Sequence, residues 1–342
     1  MSESVFLKAC RREKTPYTPV WLMRQAGRYM KDYRAIREKT GFLELCKDPA
    51  LAAQVTVEAQ EKLKTDAAII FSDILLILEP MGLSLEYVKN DGPVVHDPVH
   101  DSHTVDALKE LGSAEPLSFV YQAIREARKK LKSSIPLIGF AGAPFTLASY
   151  MIEGGSTKDF TKTRNFMKAD TGRWKILMQK IARSTLFYLN AQVAAGAQVI
   201  QLFDSWAGVL SGEEYGEFAA PYTRDLIRGI QPGVPVIHFG TKTGDFLDRL
   251  SLAGGDVIGA DHRIGLDEAW KKIGDGKAIQ GNLDPEILCG DLKEIRRHTA
   301  RILKEADGRP GHIFNLGHGI LPQTPEENAV ALVEMVHEMS RR

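Results

Sequence analysis

Six cations fall between positions 24 and 39: Arg24, Arg28, Lys31, Arg34, Arg37 and Lys39. Only Asp32 and Glu38 oppose them, so the local balance is +4. A charge run of this kind is ordinarily a solvated amphipathic helix. Two features point toward an anion instead. The run is dominated by arginine, whose planar fork suits bidentate contact to carboxylate or phosphate. It also follows an apolar segment, Pro19–Met23, directly through Gly27. Asp73 is the second residue of interest. It sits between Ile69-Ile70-Phe71-Ser72 and Ile74-Leu75-Leu76-Ile77-Leu78, where an uncompensated carboxylate costs several kcal/mol. It is either structural, capping a helix or pairing with an arginine, or aimed at a ligand's N–H groups or at a developing cation.

The remaining polar candidates sort quickly. His318, between Gly317 and Gly319, is the best-placed histidine, and His238 reads as a core or supporting residue. His96, His100 and His103 occur as HDPVHDSH, which matches no strong zinc spacing and reads as a solvated loop. GxGxxG and Walker A sequences are absent. Gly154-Gly155-Ser156-Thr157 is a weak phosphate-loop candidate, and Gly274-Asp275-Gly276 reads as a turn. No lysine stands out as a Schiff base.

Something must position these residues. Eight short apolar, β-branched runs recur along the chain: Pro19–Met23, Ala67–Phe71, Ile135–Phe140, Gln198–Phe203, Val234–Phe239, Asp256–Ala260, Lys277–Gln280 and His312–Leu316. Helical periodicity fills Pro49–Leu63, Thr171–Ala194, Gly212–Ile230, Leu266–Ile273, Asp291–Glu305 and Thr324–Met339. Asp48 and Thr324 read as caps, each before a proline. A doubly wound sheet and a (β/α)8 barrel both fit this alternation, and eight strands favour the barrel. At 342 residues the length alone would allow two domains, but α/β barrels run long as single units. The expectation is one domain over residues 1–342. Asn90-Asp91-Gly92, flanked by strand-like runs, predicts a hairpin inserted after the second strand. Barrel chemistry sits where strands end. That rule selects Arg24 to Tyr29, Ser72-Asp73, the stretch from Phe140 toward Tyr150, Asp204-Ser205-Trp206, His238 and His318.

Composition narrows the class. Lys+Arg and Asp+Glu are 44 each, so the formal charge is zero, without the basic field of a nucleic-acid binder. Hydrophobic residues at 44% and charged residues at 26% are the ordinary globular balance. The most apolar stretch, Ala67–Leu78, is too short for a membrane span and is interrupted by Ser72 and Asp73. No signal core or transit peptide is seen at the N-terminus. Cys10, Cys46 and Cys289 form no framework and fit a reducing, cytoplasmic setting.

The segment Pro19-Val20-Trp21-Leu22-Met23-Arg24-Gln25-Ala26-Gly27-Arg28-Tyr29 closely resembles a signature of the uroporphyrinogen decarboxylase family. Gly139-Phe140-Ala141-Gly142-Ala143-Pro144-Phe145-Thr146-Leu147 resembles a second one. Phe71-Ser72-Asp73-Ile74, Gln201-Leu202-Phe203-Asp204-Ser205 and Asn315-Leu316-Gly317-His318-Gly319 follow in the family's order. The resemblance spans nearly the whole chain. It implies a single (β/α)8 barrel, a homodimer and a place in haem and related tetrapyrrole synthesis, with neither metal nor organic cofactor. It implies conversion of uroporphyrinogen III to coproporphyrinogen III, four acetates becoming methyls. On the matching positions, Arg24, Arg28 and Arg37 would meet substrate carboxylates, and Asp73 the pyrrole N–H groups. Tyr150, Ser205 and His318 would be polar cleft residues; Phe71, Phe140 and Phe203 would be apolar lining, with Gln25 and Ile69 beside them. Arg37 and Asp73 compete as the acid, with Tyr150 and His318 in support. Two other readings are a cobalamin-linked barrel methyltransferase, which would need zinc thiolates that the isolated Cys289 does not supply, and a non-catalytic tetrapyrrole binder.

Overall fold

The computed structural model describes residues 4–88, 92–157 and 159–342. In chain order the strands are β1 (Ala68–Ile69), β2 (Leu85–Val88), β3 (Gly92–Val95), β4 (Leu137–Gly142), β5 (Val199–Asp204), β6 (Val236–Gly240), β7 (Val257–Gly259), β8 (Ala278–Gln280) and β9 (His312–Ile313). Seven of them form one parallel sheet in the order β1-β4-β5-β6-β7-β8-β9. Each new strand adds beside the last, with helices packed outside. This is how a sheet buried on both faces forms from near-continuous apolar runs such as Leu137–Gly142.

The first predicted strand, Pro19–Met23, is a single parallel bridge, Val20 to Phe314. It nonetheless joins the two edges of the sheet. Phe314 N–H donates to the Pro19 carbonyl at 2.8 Å, and Asp66 N–H to the Val20 carbonyl at 2.8 Å. The Asp66 carboxylate accepts from Val20 N–H at 2.8 Å, taking the place of a ladder bond. The sheet therefore curls into a barrel. Inside lie Trp21, Met23, Ile138, Val199, Ile237, Val257, Ala278 and Ile313, all buried, as inward side chains of alternate strands must be. Helix Val5–Cys10 packs Phe6, Ala9 and Cys10 onto this inner cluster.

Two helical expectations need correction. Gly212–Ile230 is two helices, Gly212–Phe218 and Ala220–Gly229. Pro221 stands in the first turn of the second; without an N–H it cannot continue the first. Thr324 is not the cap of the last helix, Glu326–Met339, whose N-cap is Pro325 with no side-chain cap bond. Asp48 does cap Pro49–Leu63, accepting from Ala50 N–H at 2.9 Å and Leu51 N–H at 3.0 Å.

After β1 the chain departs from the alternation. β2 and β3 pair antiparallel, Tyr87 opposite Pro93; Asn90 and Asp91 of the predicted turn lie outside the described residues. Val95 N–H donates to the Gly154 carbonyl at 2.8 Å, and Val94 bridges to Gly155. The pair is thus moored to the end of helix Pro144–Glu153. That gives Gly154 and Gly155 a structural task rather than the phosphate-loop role they could have had.

Candidate active site

The loop after Met23 starts from a pinned base. Asn315 Oδ1 accepts from Met23 N–H at 3.0 Å and from Leu316 N–H at 2.7 Å. Arg24 then adopts φ +64°, a left-handed conformation uncommon outside glycine. Its side chain runs across Gly319, where a Cβ would stand 2.5 Å from Arg24 Cδ and 2.8 Å from Nε. At Gly317 a Cβ would run into the backbone of His262. The glycines around His318 therefore exist to let two neighbouring loops come close. Gln25 is buried instead, its amide shared between Leu22 N–H at 3.4 Å and the Ala67 carbonyl at 3.2 Å. It braces the loop and does not open onto the mouth of the barrel.

Asp73 follows β1 by four residues and is half-buried. Leu75 N–H donates to its Oδ1 at 2.8 Å. Desolvation raises its pKa, against the opposing pull of Tyr87, the Leu75 N–H and Arg24. Arg24 also acts on Tyr150 and His318, so Arg24, Asp73, Tyr150 and His318 share one electrostatic neighbourhood. Burial pushes Tyr150 up to about 12, keeping its phenol protonated. His318 is lowered, first by desolvation and then by Arg24, which favours a neutral ring.

Two aromatic groups flank this neighbourhood. Phe140 from β4 meets Phe203 from β5 edge-on, centroids 5.6 Å apart, and Phe203 meets Phe239 at 6.3 Å. On the other side Phe42 packs on Tyr87 at 4.6 Å and on Phe71 at 6.1 Å, and Tyr33 lies 5.6 Å from Phe71. The Arg37 guanidinium sits over the Phe42 ring at 5.6 Å and donates to the Thr40 carbonyl. Arg28 is exposed, while Phe71, Tyr150, Phe203, Ser205 and Ile69 are half-buried. Aromatic faces beside charged forks suit a ligand that carries both apolar rings and carboxylates.

Other candidates fall elsewhere. His238 is fully buried, bonds through Nδ1 to the Gly254 carbonyl at 3.2 Å and is held down at about 4 by desolvation. It belongs to the core. His96 pairs with Glu86 at 2.8 Å, and His100 Nδ1 meets the Pro98 carbonyl at 2.9 Å. Among the described residues no cluster with metal-holding composition occurs. Sequence reasoning missed Tyr87. Its alternation in Leu85-Glu86-Tyr87-Val88 marks a strand, but only the docking of the hairpin brings it to Asp73. The strand-end rule picked out Asp204 without assigning it a role; it is a fully buried acid between Phe203 and Ser205.

An eight-unit α/β barrel with arginines and a carboxyl gathered beyond its strand ends is the architecture of a barrel enzyme, with its polar groups where such enzymes carry their sites. Residues 1–339 match the family model of uroporphyrinogen decarboxylase (URO-D). The chain belongs to that family. It is 54% identical over 336 residues to a uroporphyrinogen decarboxylase of Solibacter usitatus (strain Ellin6076), covering 98% of this chain and 97% of that protein. A uroporphyrinogen decarboxylase of Sorangium cellulosum (strain So ce56) is 51% identical over 337 residues, covering 98% and 96%. A methyltransferase from Methanosarcina mazei superposes with TM-score 0.83 at 20% identity, covering 98% of this chain and 99% of that one. That likeness shows the fold.

Proposed function

We propose that the chain decarboxylates the four acetate side chains of uroporphyrinogen III to give coproporphyrinogen III, in haem and related tetrapyrrole synthesis. Family membership and the printed names of relatives about half identical along the whole chain support this reading. The observation that carries the chemistry is Asp73, a carboxyl of raised pKa beside Arg24.

Loss of carbon dioxide from a pyrrole acetate would leave an unstabilised carbanion. Protonating the adjacent ring carbon first makes the ring an electron sink. The bond to the carboxylate then breaks, its electron pair neutralises the ring cation, and carbon dioxide leaves. The exocyclic carbon takes up a proton and the ring gives one back, so each acetate consumes one proton overall. Asp73 is the better acid of the two candidates. Desolvation raises its pKa and so favours its protonated form, whereas a guanidinium holds its proton too tightly. Having given the proton, the carboxylate faces the cation it has just made and stabilises it. Arg24, Arg28 and Arg37 serve as carboxylate clamps. Tyr150, Ser205 and His318 contact the ligand as neutral hydrogen-bonding groups, and Phe71, Phe140 and Phe203 line the cleft, with Gln25 behind them. No step in this scheme calls for a metal or organic cofactor. The reading includes a single barrel domain over residues 1–342, a homodimer, and a cytoplasmic setting. The last is supported by free thiols at Cys10, Cys46 and Cys289. Among the described residues no helix is long and apolar enough to cross a membrane.

The test is anaerobic incubation of EDTA-treated wild type and Asp73→Asn with uroporphyrinogen, products being separated by carboxylate number. Wild type should reach the four-carboxylate product in steps. Asp73→Asn should slow by about 3–4 kcal/mol of barrier, a hundredfold or more. No turnover by folded wild type would remove the decarboxylase reading. Equal turnover would remove Asp73 from the mechanism.

A further inference from the structure

The mechanism leaves one buried acid unused. Asp204, the last residue of β5, is fully buried. Its Oδ1 accepts from Thr146 Oγ1 at 2.9 Å, while its Oδ2 is buried without a partner. Thr146 is itself fully buried in the first turn of helix Pro144–Glu153. Its Oγ1 accepts from Trp206 N–H at 3.2 Å. One residue before that helix, Ala143 N–H donates to the Phe203 carbonyl at 2.8 Å. Three hydrogen bonds therefore tie the start of this helix to the end of β5.

The two sides of this junction both face the cleft. Tyr150 lies one turn beyond Thr146 on the same helix, and its ring meets that of Trp206 at 5.9 Å. Phe203 and Ser205 flank Asp204 directly. We propose that the Asp204–Thr146 pair is a buried lock that sets Tyr150 against Phe203 and Ser205, making Asp204 a positioning residue for the reaction proposed above. This rests on that reading only for what the positioned residues do.

Burial favours the neutral form of this acid. Burial lifts Asp204 to about 7, with the Thr146 bond opposing. Thr146 faces it from its helix, and Tyr215 faces it from helix Gly212–Phe218. Neither is charged near neutral pH: Tyr215 is pushed well above its usual range by burial, with Asp204 adding to it and a bond to Thr223, then Arg224, acting the other way. Without a partner, Oδ2 is cheaper to bury as part of a neutral carboxyl than as a charged oxygen.

Four single substitutions, one double variant and one spectroscopic titration against Trp206→Phe test this. Thr146→Val keeps shape and removes the hydroxyl, so kcat should fall about tenfold with little change in KM. Asp204→Ala should do the same, and the double variant should fall no further than either alone. Thr146→Ser and Asp204→Asn, which keep the hydrogen bond, should recover most of kcat. A purely structural role predicts lower melting temperature with unchanged kcat in the folded variants, and overturns the proposal, as does a multiplied loss in the double variant. Should Asp204→Ala not fold, Thr146→Val against Thr146→Ser decides. The second readout needs no turnover. Trp206 emission, isolated by difference from Trp206→Phe, should shift with a midpoint near pH 7 in wild type and stay flat in Asp204→Asn. A flat wild-type titration overturns the lock. Failure of wild type to act on uroporphyrinogen, with the titration intact, counts against the function alone.

Discussion

Arg24 depends on two residues outside its own loop: Asn315, which pins the loop base, and Gly319, which leaves room for its stem. The atoms a new Cβ would meet at Gly319 belong to the arginine side chain, so the arginine should yield, not the fold. We expect Gly319→Ala to unfold at nearly the wild-type urea concentration while KM for uroporphyrinogen rises about tenfold, the scale of one charge-assisted contact. Steady-state kinetics beside urea titration checks this; a lost fold with unchanged KM in the residual enzyme would contradict it. At this scale the sequence was most readable where a residue type was out of keeping with its neighbours. Asp73 in an apolar run and His318 between glycines are of that kind. Gln25 was not, because an amide that serves the backbone of Leu22 and Ala67 looks in sequence like one that serves a ligand. Tyr87 carried no signal because its partner, Asp73, comes from a different element.

Elements differ in how strongly their own residues dictate them. Helices Pro49–Leu63 and Leu266–Ile273 follow the periodicity end to end, since burial of one stripe is a local property. The break at Ala219 was written in Pro221, but a proline in the first turn of a helix also marks a proper start, and the pattern before it continued in phase. Pro19–Met23 is extended without a regular ladder because its closing bonds go partly to the Asp66 side chain, which sequence spacing does not reveal. The hairpin is the element on which the site leans. It reaches Phe42 through Tyr87 and Gly155 through Val94. A Cβ on Gly155 would stand 2.9 Å from the Pro93 carbonyl oxygen, and backbone must then move. Gly155→Ala should lower stability by about 1–2 kcal/mol and reduce kcat by drawing Tyr87 from Asp73. Urea midpoints and turnover on one preparation test this; full activity would show that Tyr87 holds its place without the mooring.

Across the whole molecule, acid should act through the core before it acts through the surface. His238 and His312 are buried and held near 4 by desolvation, against an ordinary 6.5. Between those values the unfolded chain binds more protons than the native one, so stability falls as pH drops through the window. Each contributes at most about 3 kcal/mol. Asp204 has the opposite sign: with its native value at about 7, its share of stability is greatest in acid and declines as pH rises from 4 to 7. Replacing His238 by Gln should shrink the difference between urea midpoints at pH 4.5 and pH 7, and an unchanged difference would assign acid sensitivity elsewhere. The ring closure at Val20 and Phe314 has a further consequence in time. Met23 and Asn315, bonded to each other, are separated by 292 positions, and Arg24 lies across Gly319. While this chain is being translated, the arginine loop emerges early and waits with half its walls unmade. Strands β1 and β4 to β8 can assemble as an open, curling sheet, but the seam is sewn only after residue 319 has cleared the ribosome. Until then the nascent chain holds the arginines without the surface that aims them, so it should be inert toward uroporphyrinogen and a client for holding chaperones.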